Sequence, residues 1–180
     1  MVFAHNVEGY SKLGVQISNN NQIYSLTDLL DMGVRAINTD VHRIGDNIYV
    51  AHCEGKTQCS IVYKRLWVSW LEELALWLAK NPHEVVTVVI EDDENIFEVM
   101  DSYILAITRT IKKEWIYTYG EFLSSRYRFP SLKKLRELGK RVVFINQRNL
   151  DEQNITIYEL LVVTPVWDSY LSAGVKNFDA

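Results

Sequence analysis

Two histidines, two carboxylates and two amides in this chain stand where a fold could bring them together. His5 and Asn6 follow the short apolar run Phe3-Ala4. Asn38 and Asp40 close the stretch Gly33-Val34-Arg35-Ala36-Ile37-Asn38-Thr39-Asp40. His52 closes Ile48-Tyr49-Val50-Ala51, and Glu91 follows the β-branched run from Val85 to Ile90. An imidazole titrates near neutral pH, so two at one site can divide the work of general base and general acid. Asp40 can orient a histidine or bind a cation. Asn6, Asn38, Asp40 and Glu91 offer hard oxygen donors of the kind that Ca2+ or Mg2+ takes. Arg35 or Arg148 can hold a phosphate oxygen through the guanidinium fork.

Those residues must be positioned by strands and helices. Ser25, with Asp28 three residues on, reads as a capping box, and Leu26, Leu29 and Leu30 form an apolar stripe up to a stop at Gly33. Arg35 to Val41 reads as a strand, His42 to Asn47 as a turn around Gly45-Asp46, and Ile48 to Ala51 as the returning strand. That connection is too short for a crossover helix, so a hairpin is expected. With a turn centred near Asp46, Asp40 falls opposite His52. Leu66 to Lys80 has helical spacing in Trp67, Trp70, Leu71, Leu74 and Leu78, and Asn81-Pro82 ends it. Val85 to Ile90 reads as a strand buried on both faces. A helix is expected over Phe97 to Ile111, another from Pro130-Ser131 to a stop at Gly139, and a strand over Arg141 to Ile145. Trp115 to Phe122 is ambiguous, and Ile155 to Val163 fits strand or helix.

The alternation of strands and helices gives an α/β fold. Each strand ends in polar groups: His5-Asn6, Asn38 and Asp40, His52, Glu91-Asp92, Asn146-Gln147-Arg148. In a (β/α)₈ barrel the C-terminal strand ends form one rim, where the active site lies. The first strand is followed by His5-Asn6-Val7-Glu8-Gly9, which is not a glycine-rich phosphate loop. His42 on the turn and His83 in a loop are read as structural, and Asp92 to Glu94 as a solvated helix start.

The 180 residues suit a single domain, 1–180, and a net charge of −4 gives no global basic field for nucleic acid. Lys133, Lys134, Arg136, Lys140 and Arg141 read as a solvated face. No apolar run is long enough for a transmembrane segment. Met1 leads into strand with no signal peptide, an abrupt start that points to sequence missing upstream. Cys53 and Cys59 are either bridged across a short loop or free thiols.

On these residues the chain resembles the phosphatidylinositol-specific phospholipase C X-domain group of the PLC-like phosphodiesterases. The features that carry the resemblance are His5-Asn6, the Gly33-Val34-Arg35 to Asp40 core, Ile48 to His52, and Asn81-Pro82-His83-Glu84-Val85-Val86-Thr87 leading to Glu91. Pro130-Ser131-Leu132 and Gly139-Lys140-Arg141-Val142-Val143 resemble later parts of fungal and plant members. The resemblance implies a TIM-type barrel, incomplete here at about five of eight strands. It implies cleavage of a phospholipid or inositol-phosphate diester, with His5 as base, His52 as acid and Asp40 beside them. It also implies calcium on Asn6, Asn38, Asp40 and Glu91, although Asn38 stands where a Glu is usual. Peripheral membrane contact and a secreted location belong to the same expectation. Two other readings stand beside it. One is an inactive truncated barrel that binds lipid head groups or a protein. The other is a glycerophosphodiesterase or sphingomyelinase D-like enzyme; glycerophosphodiesterases expect His-Arg and Glu-x-Asp where this chain has His5-Asn6 and Asn38-Thr39-Asp40.

Overall fold

The computed structural model describes residues 3–4, 7, 22–52, 64–92, 99–146 and 162–163. Strand β1 (Phe3–Ala4) is followed by helix α1 (Leu26–Asp31), β2 (Ala36–Ile44), β3 (Asn47–Val50) and β4 (Arg65–Leu66). Then come α2 (Trp67–Lys80), β5 (Val86–Asp92), α3 (Met100–Thr110), a 3₁₀ turn (Lys113–Trp115), α4 (Tyr119–Ser124), α5 (Leu132–Glu137), β6 (Val142–Asn146) and β7 (Val162–Val163).

The strands form one sheet in the order β4-β3-β2-β5-β6-β7, with β1 beside the first residues of β2. Five strands are parallel neighbours: β1, β2, β5, β6 and β7. The β3 and β4 strands turn back antiparallel on the free edge of β2. The five parallel strands are not the five read from the sequence. Ile48 to Val50 forms the expected hairpin strand, as β3, and the fifth parallel strand is β7, within the stretch Ile155 to Val163 that fits strand or helix. Among the described residues the sheet is not closed.

Local signals account for most elements. The Ser25 hydroxyl accepts from the Asp28 N–H at 3.1 Å, and the Asp28 carboxylate accepts from the Ser25 N–H at 3.0 Å. Gly33 leaves α1 at φ +98, a conformation open to glycine without strain. Thr118 and Glu121 make a second capping box that starts α4 inside the ambiguous stretch. The threonine-x-x-glutamate spacing was a readable signal for it. Strand β2 runs three residues beyond the expected end, so His42 and Arg43 lie in the strand and only Gly45 and Asp46 turn.

One face of the sheet packs on α1, α2 and α3. Ile37, Val41, Val86, Val88, Ile90 and Phe144 meet Leu30, Trp67, Trp70, Leu71, Leu74 and Ile107 there. Trp67 stacks between Trp70 and Tyr103, with ring centroids 5.3 and 5.5 Å away. On the other face, Val85, Val89, Val143 and Ile145 pack on Tyr117, Phe122 and Leu135. Those three partners lie in the segment that precedes β6, which the Tyr117 N–H ties to the start of that strand through the Val142 carbonyl at 2.9 Å.

The basic cluster expected on a solvated face divides. Lys133, Lys134 and Arg136 are exposed, but Arg141 is buried. Arg141 donates to the carbonyls of Glu84 at 2.7 Å and Leu78 at 3.0 Å, and also to that of Asn81. A guanidinium can be buried there because three carbonyls at the end of α2 and the start of β5 are turned toward it. Lys140 is also held, by the Ile116 carbonyl and the Glu121 carboxylate.

Trp70 joins α2 to the sheet in the middle of this packing. Trp70→Ala is expected to destabilise the fold by about 3–5 kcal/mol. Urea unfolding measures it, and a loss below about 1 kcal/mol would mean that α2 is not held by this packing.

Candidate active site

β2 and β5 run parallel in a register that pairs Asn38 with Val89 and Asp40 with Glu91. Side chains two apart on a strand share a face. Asn38, Asp40 and His42 therefore line the face away from α2 and α3, together with Val89 and Glu91 of β5. The Asn38 Nδ2 donates to Glu91 Oε1 at 2.8 Å. This joins the two strands through side chains as well as backbone.

The hairpin brings in the imidazole. Its register pairs Val41 with Val50, so Asp40 faces Ala51, whose N–H donates to the Asp40 carbonyl at 3.2 Å. His52 is therefore one residue past the position directly opposite Asp40, where the sequence placed it. The contact forms diagonally: His52 Nδ1 lies 3.0 Å from Asp40 Oδ2. An ionised carboxylate only accepts, so this bond places the proton on Nδ1. About a third of the His52 side chain is exposed, which leaves the ring accessible.

Asp40 is held above the ordinary carboxylate value. Burial disfavours its charge and the Glu91 carboxylate repels it, while the His52 hydrogen bond and the charges on His52 and His42 pull the other way. Asp40 Oδ1 and Asn38 Oδ1 are both buried, and neither has a hydrogen-bond partner among the described residues. Two buried oxygens without donors are an uncompensated burden unless something positive meets them. Their chemistry, with the Glu91 carboxylate beside them, fits a hard cation. Among the described residues no group of three or more His, Cys, Asp or Glu side chains forms a ready-made metal cluster.

The other expected site residues divide. Arg35 precedes β2 and lies at the opposite end of the strand from Asp40. Its Nε donates to Glu84 at 2.7 Å, one Nη donates to the carbonyls of Leu30 and Val34, and its guanidinium lies over the Trp77 ring. Those bonds tie α1, β2 and α2 together and take Arg35 away from the phosphate role expected for it. His5, Asn6, Arg148, Cys53 and Cys59 lie outside the described residues. His42, read as a turn residue, is instead 8% exposed inside β2 on the face of Asp40. The signal for it was the alternation of Asn38, Asp40 and His42.

A family model described as PI-PLC X 1 matches residues 3–167. The chain is 24% identical over 162 residues to an uncharacterized secreted protein of Arthroderma benhamiae, a match covering 90% of this chain and 35% of that protein. It is 26% identical to PI-PLC X domain-containing protein 1 of Homo sapiens, covering 81% of this chain and 42% of the human protein. Its fold is similar to that of a phosphatidylinositol-specific phospholipase C of Staphylococcus aureus, with a TM-score of 0.56 at 16% identity over 82% of this chain and 47% of that one. The chain thus spans between a third and a half of the length of these relatives.

Burying the Asp40 charge makes a pH-dependent prediction. The unfolded chain ionises this group near 3.8, whereas the folded chain holds its proton to higher pH. The native state then binds more protons, so the contribution of Asp40 to stability falls as pH rises through its folded value. Asp40→Asn keeps an acceptor for His52 and removes the charge. The variant is expected to be more stable than the parent at neutral pH, with the gain fading below the ordinary carboxylate range. Urea unfolding across pH reads this, and a parent that gains on the variant as pH rises would overturn it.

Proposed function

The chain belongs to the PI-PLC X 1 family, and on that premise we propose that it is a phosphoric diester hydrolase acting on a phospholipid or an inositol-phosphate diester. The observation that carries the reading is the His52–Asp40 pair beside the Asn38–Glu91 pair, with Asp40 and Glu91 toward the C-terminal end of the parallel pairing of β2 with β5. The five consecutive parallel strands support a TIM-type barrel architecture, of which they would form a contiguous part.

In the proposed mechanism Asp40 holds the His52 ring through Nδ1, and Nε2 protonates the departing alkoxide oxygen. His5 removes the proton from the attacking hydroxyl. One O–P bond forms as the other breaks, and the two histidines exchange protonation roles for the next step. The half-exposed imidazole and the buried carboxylate suit this division: one group meets the substrate and the other orients it.

A divalent cation, Ca2+ or Mg2+, is part of the proposal. Asn38 Oδ1, Asp40, Glu91 and Asn6 would hold it, and when bound it would supply positive charge to a phosphoryl oxygen. Asn38 contributes a neutral oxygen where the family usually has a carboxylate, so the site carries one negative charge fewer. A secreted location is proposed with it, in line with the secreted fungal relative.

The test is release of a water-soluble phosphorylated head group from phosphatidylinositol vesicles by the full chain. His52→Ala and His5→Ala are each expected to lower kcat by about 10²–10⁴-fold, with circular dichroism unchanged. Undiminished turnover in both variants would sink the mechanism. Calorimetric titration with Ca2+ checks the cation separately: heat of binding in the parent, absent in Asp40→Ala, is the expected result.

A further inference from the structure

The end of the sheet opposite the candidate active site carries a second organised surface. From Phe122 to Arg136 the sequence contains five cations, Arg126, Arg128, Lys133, Lys134 and Arg136, and no Asp or Glu, in a chain whose net charge is −4. Lys134 lies 3.6 Å from Glu137, and Arg136 3.9 Å from Glu84. Arg126, Arg128 and Lys133 have no acidic partner among the described residues. Between them stand exposed apolar groups: Tyr127 is 68% exposed, Phe129 46% and Leu132 42%.

The arrangement is held in place. Arg126 and Tyr127 both adopt left-handed backbone, at φ +57 and +59. Non-glycine residues there are strained by about 1 kcal/mol or more each. Local bonds hold the turn: the Tyr127 N–H donates to the Phe122 carbonyl at 3.1 Å, and the Ser125 hydroxyl accepts from the Tyr117 hydroxyl at 3.3 Å. The buried Phe122 ring meets both Tyr127 and Phe129, with centroids 5.8 and 4.8 Å away. Two aromatic rings are therefore fixed at the surface between unpaired guanidinium groups. Arginine and tyrosine carry a large share of the binding energy at protein interfaces, and the arginine fork matches a carboxylate.

We infer that this surface docks an acidic, aromatic-bearing segment of a partner protein. The choice of a polypeptide over a bilayer rests on the proposed function. Arg136 at the end of α5 lies 3.9 Å from Glu84, just before β5, and Glu121 of α4 meets Lys140, just before β6, whereas Asp40 lies toward the other end of the parallel pairing of β2 with β5. A bilayer held by Tyr127 and Phe129 would face away from the residues that are to meet its lipids. A protein partner has no such conflict and leaves the other end free to meet a membrane.

The experiment titrates the full chain into a fluorescein-labelled peptide, Glu-Asp-Glu-Tyr-Glu-Asp-Phe-Glu, and reads anisotropy. Its uncharged counterpart, Gln-Asn-Gln-Tyr-Gln-Asn-Phe-Gln, is run in parallel, as are phosphatidylcholine–phosphatidylserine vesicles and a single-stranded oligonucleotide. Saturable binding to the acidic peptide is expected. It should weaken by about tenfold in the double variant R126E/R128E, and again in Tyr127→Ala with Phe129→Ala. All these positions are exposed, and circular dichroism verifies that the variants fold. Peptide binding unchanged by charge reversal overturns the inference, and so does tighter binding of vesicles or oligonucleotide through the same residues. Phosphatidylinositol hydrolysis by the R126E/R128E variant should equal that of the parent. A parent that binds the peptide without hydrolysing lipid supports the docking surface and counts against the enzymatic reading. Hydrolysis without peptide binding does the reverse.

Discussion

Strand β2 is the constraint on which the rest of the structure depends. Both of its edges are used: β1 pairs with its first residues and β3 with its last on one side, and β5 with Ala36 to Val41 on the other. Its register against β5 sets Asp40 beside Glu91, and its register against β3 brings His52 within reach of Asp40. A slip of one residue in either pairing would turn Ile37 and Val41 out of the apolar layer and Asn38 and Asp40 into it. The hydrophobic packing on α2 and α3 therefore holds the polar cluster in place, although no residue of α2 or α3 touches that cluster in the contacts described above.

That cluster is not arranged for stability. A carboxyl group is buried next to another, and its Oδ1 and the Asn38 Oδ1 have no hydrogen-bond partner among the described residues. An apolar side chain at position 40 would pack without these penalties, so the arrangement makes sense as chemistry held ready by the surrounding core. The Asn38–Glu91 hydrogen bond moderates the conflict, because an amide N–H answers one carboxylate where a second acid would repel it.

The two ends of the sheet differ in kind. Toward the C-terminal end of the β2–β5 pairing, Asn38, Asp40 and Glu91 form a polar cluster on the face away from α2 and α3. At the N-terminal ends the cations are engaged in structure: Arg35 on Glu84 and the carbonyls that follow α1, Arg141 on three carbonyls around the end of α2. Beyond that fastened layer lies the turn that presents Tyr127 and Arg126.

What the sequence determined by itself was local. The Ser25–Asp28 box, the spacing of Trp67 to Leu78, the β-branched run before Glu91 and the turn at Gly45-Asp46 each depend on residues a few positions apart. The hairpin alone brings Asp40 and His52, twelve residues apart, into contact. Only the tertiary structure decided the Asn38–Glu91 bond across 53 residues, because a strand buried on both faces has no alternation from which its register can be read. It also decided that His42 belongs to the polar face and that Arg35 serves the opposite end. The direction of β2 carried a hint about Arg35, since a residue that opens a parallel strand lies far from the rim its end residues form. For β3 the hint was the turn itself: two residues at Gly45-Asp46 cannot hold a crossover, so the strand had to fold back on β2, whereas the partner on the other edge, β5, comes from residues far away in the chain.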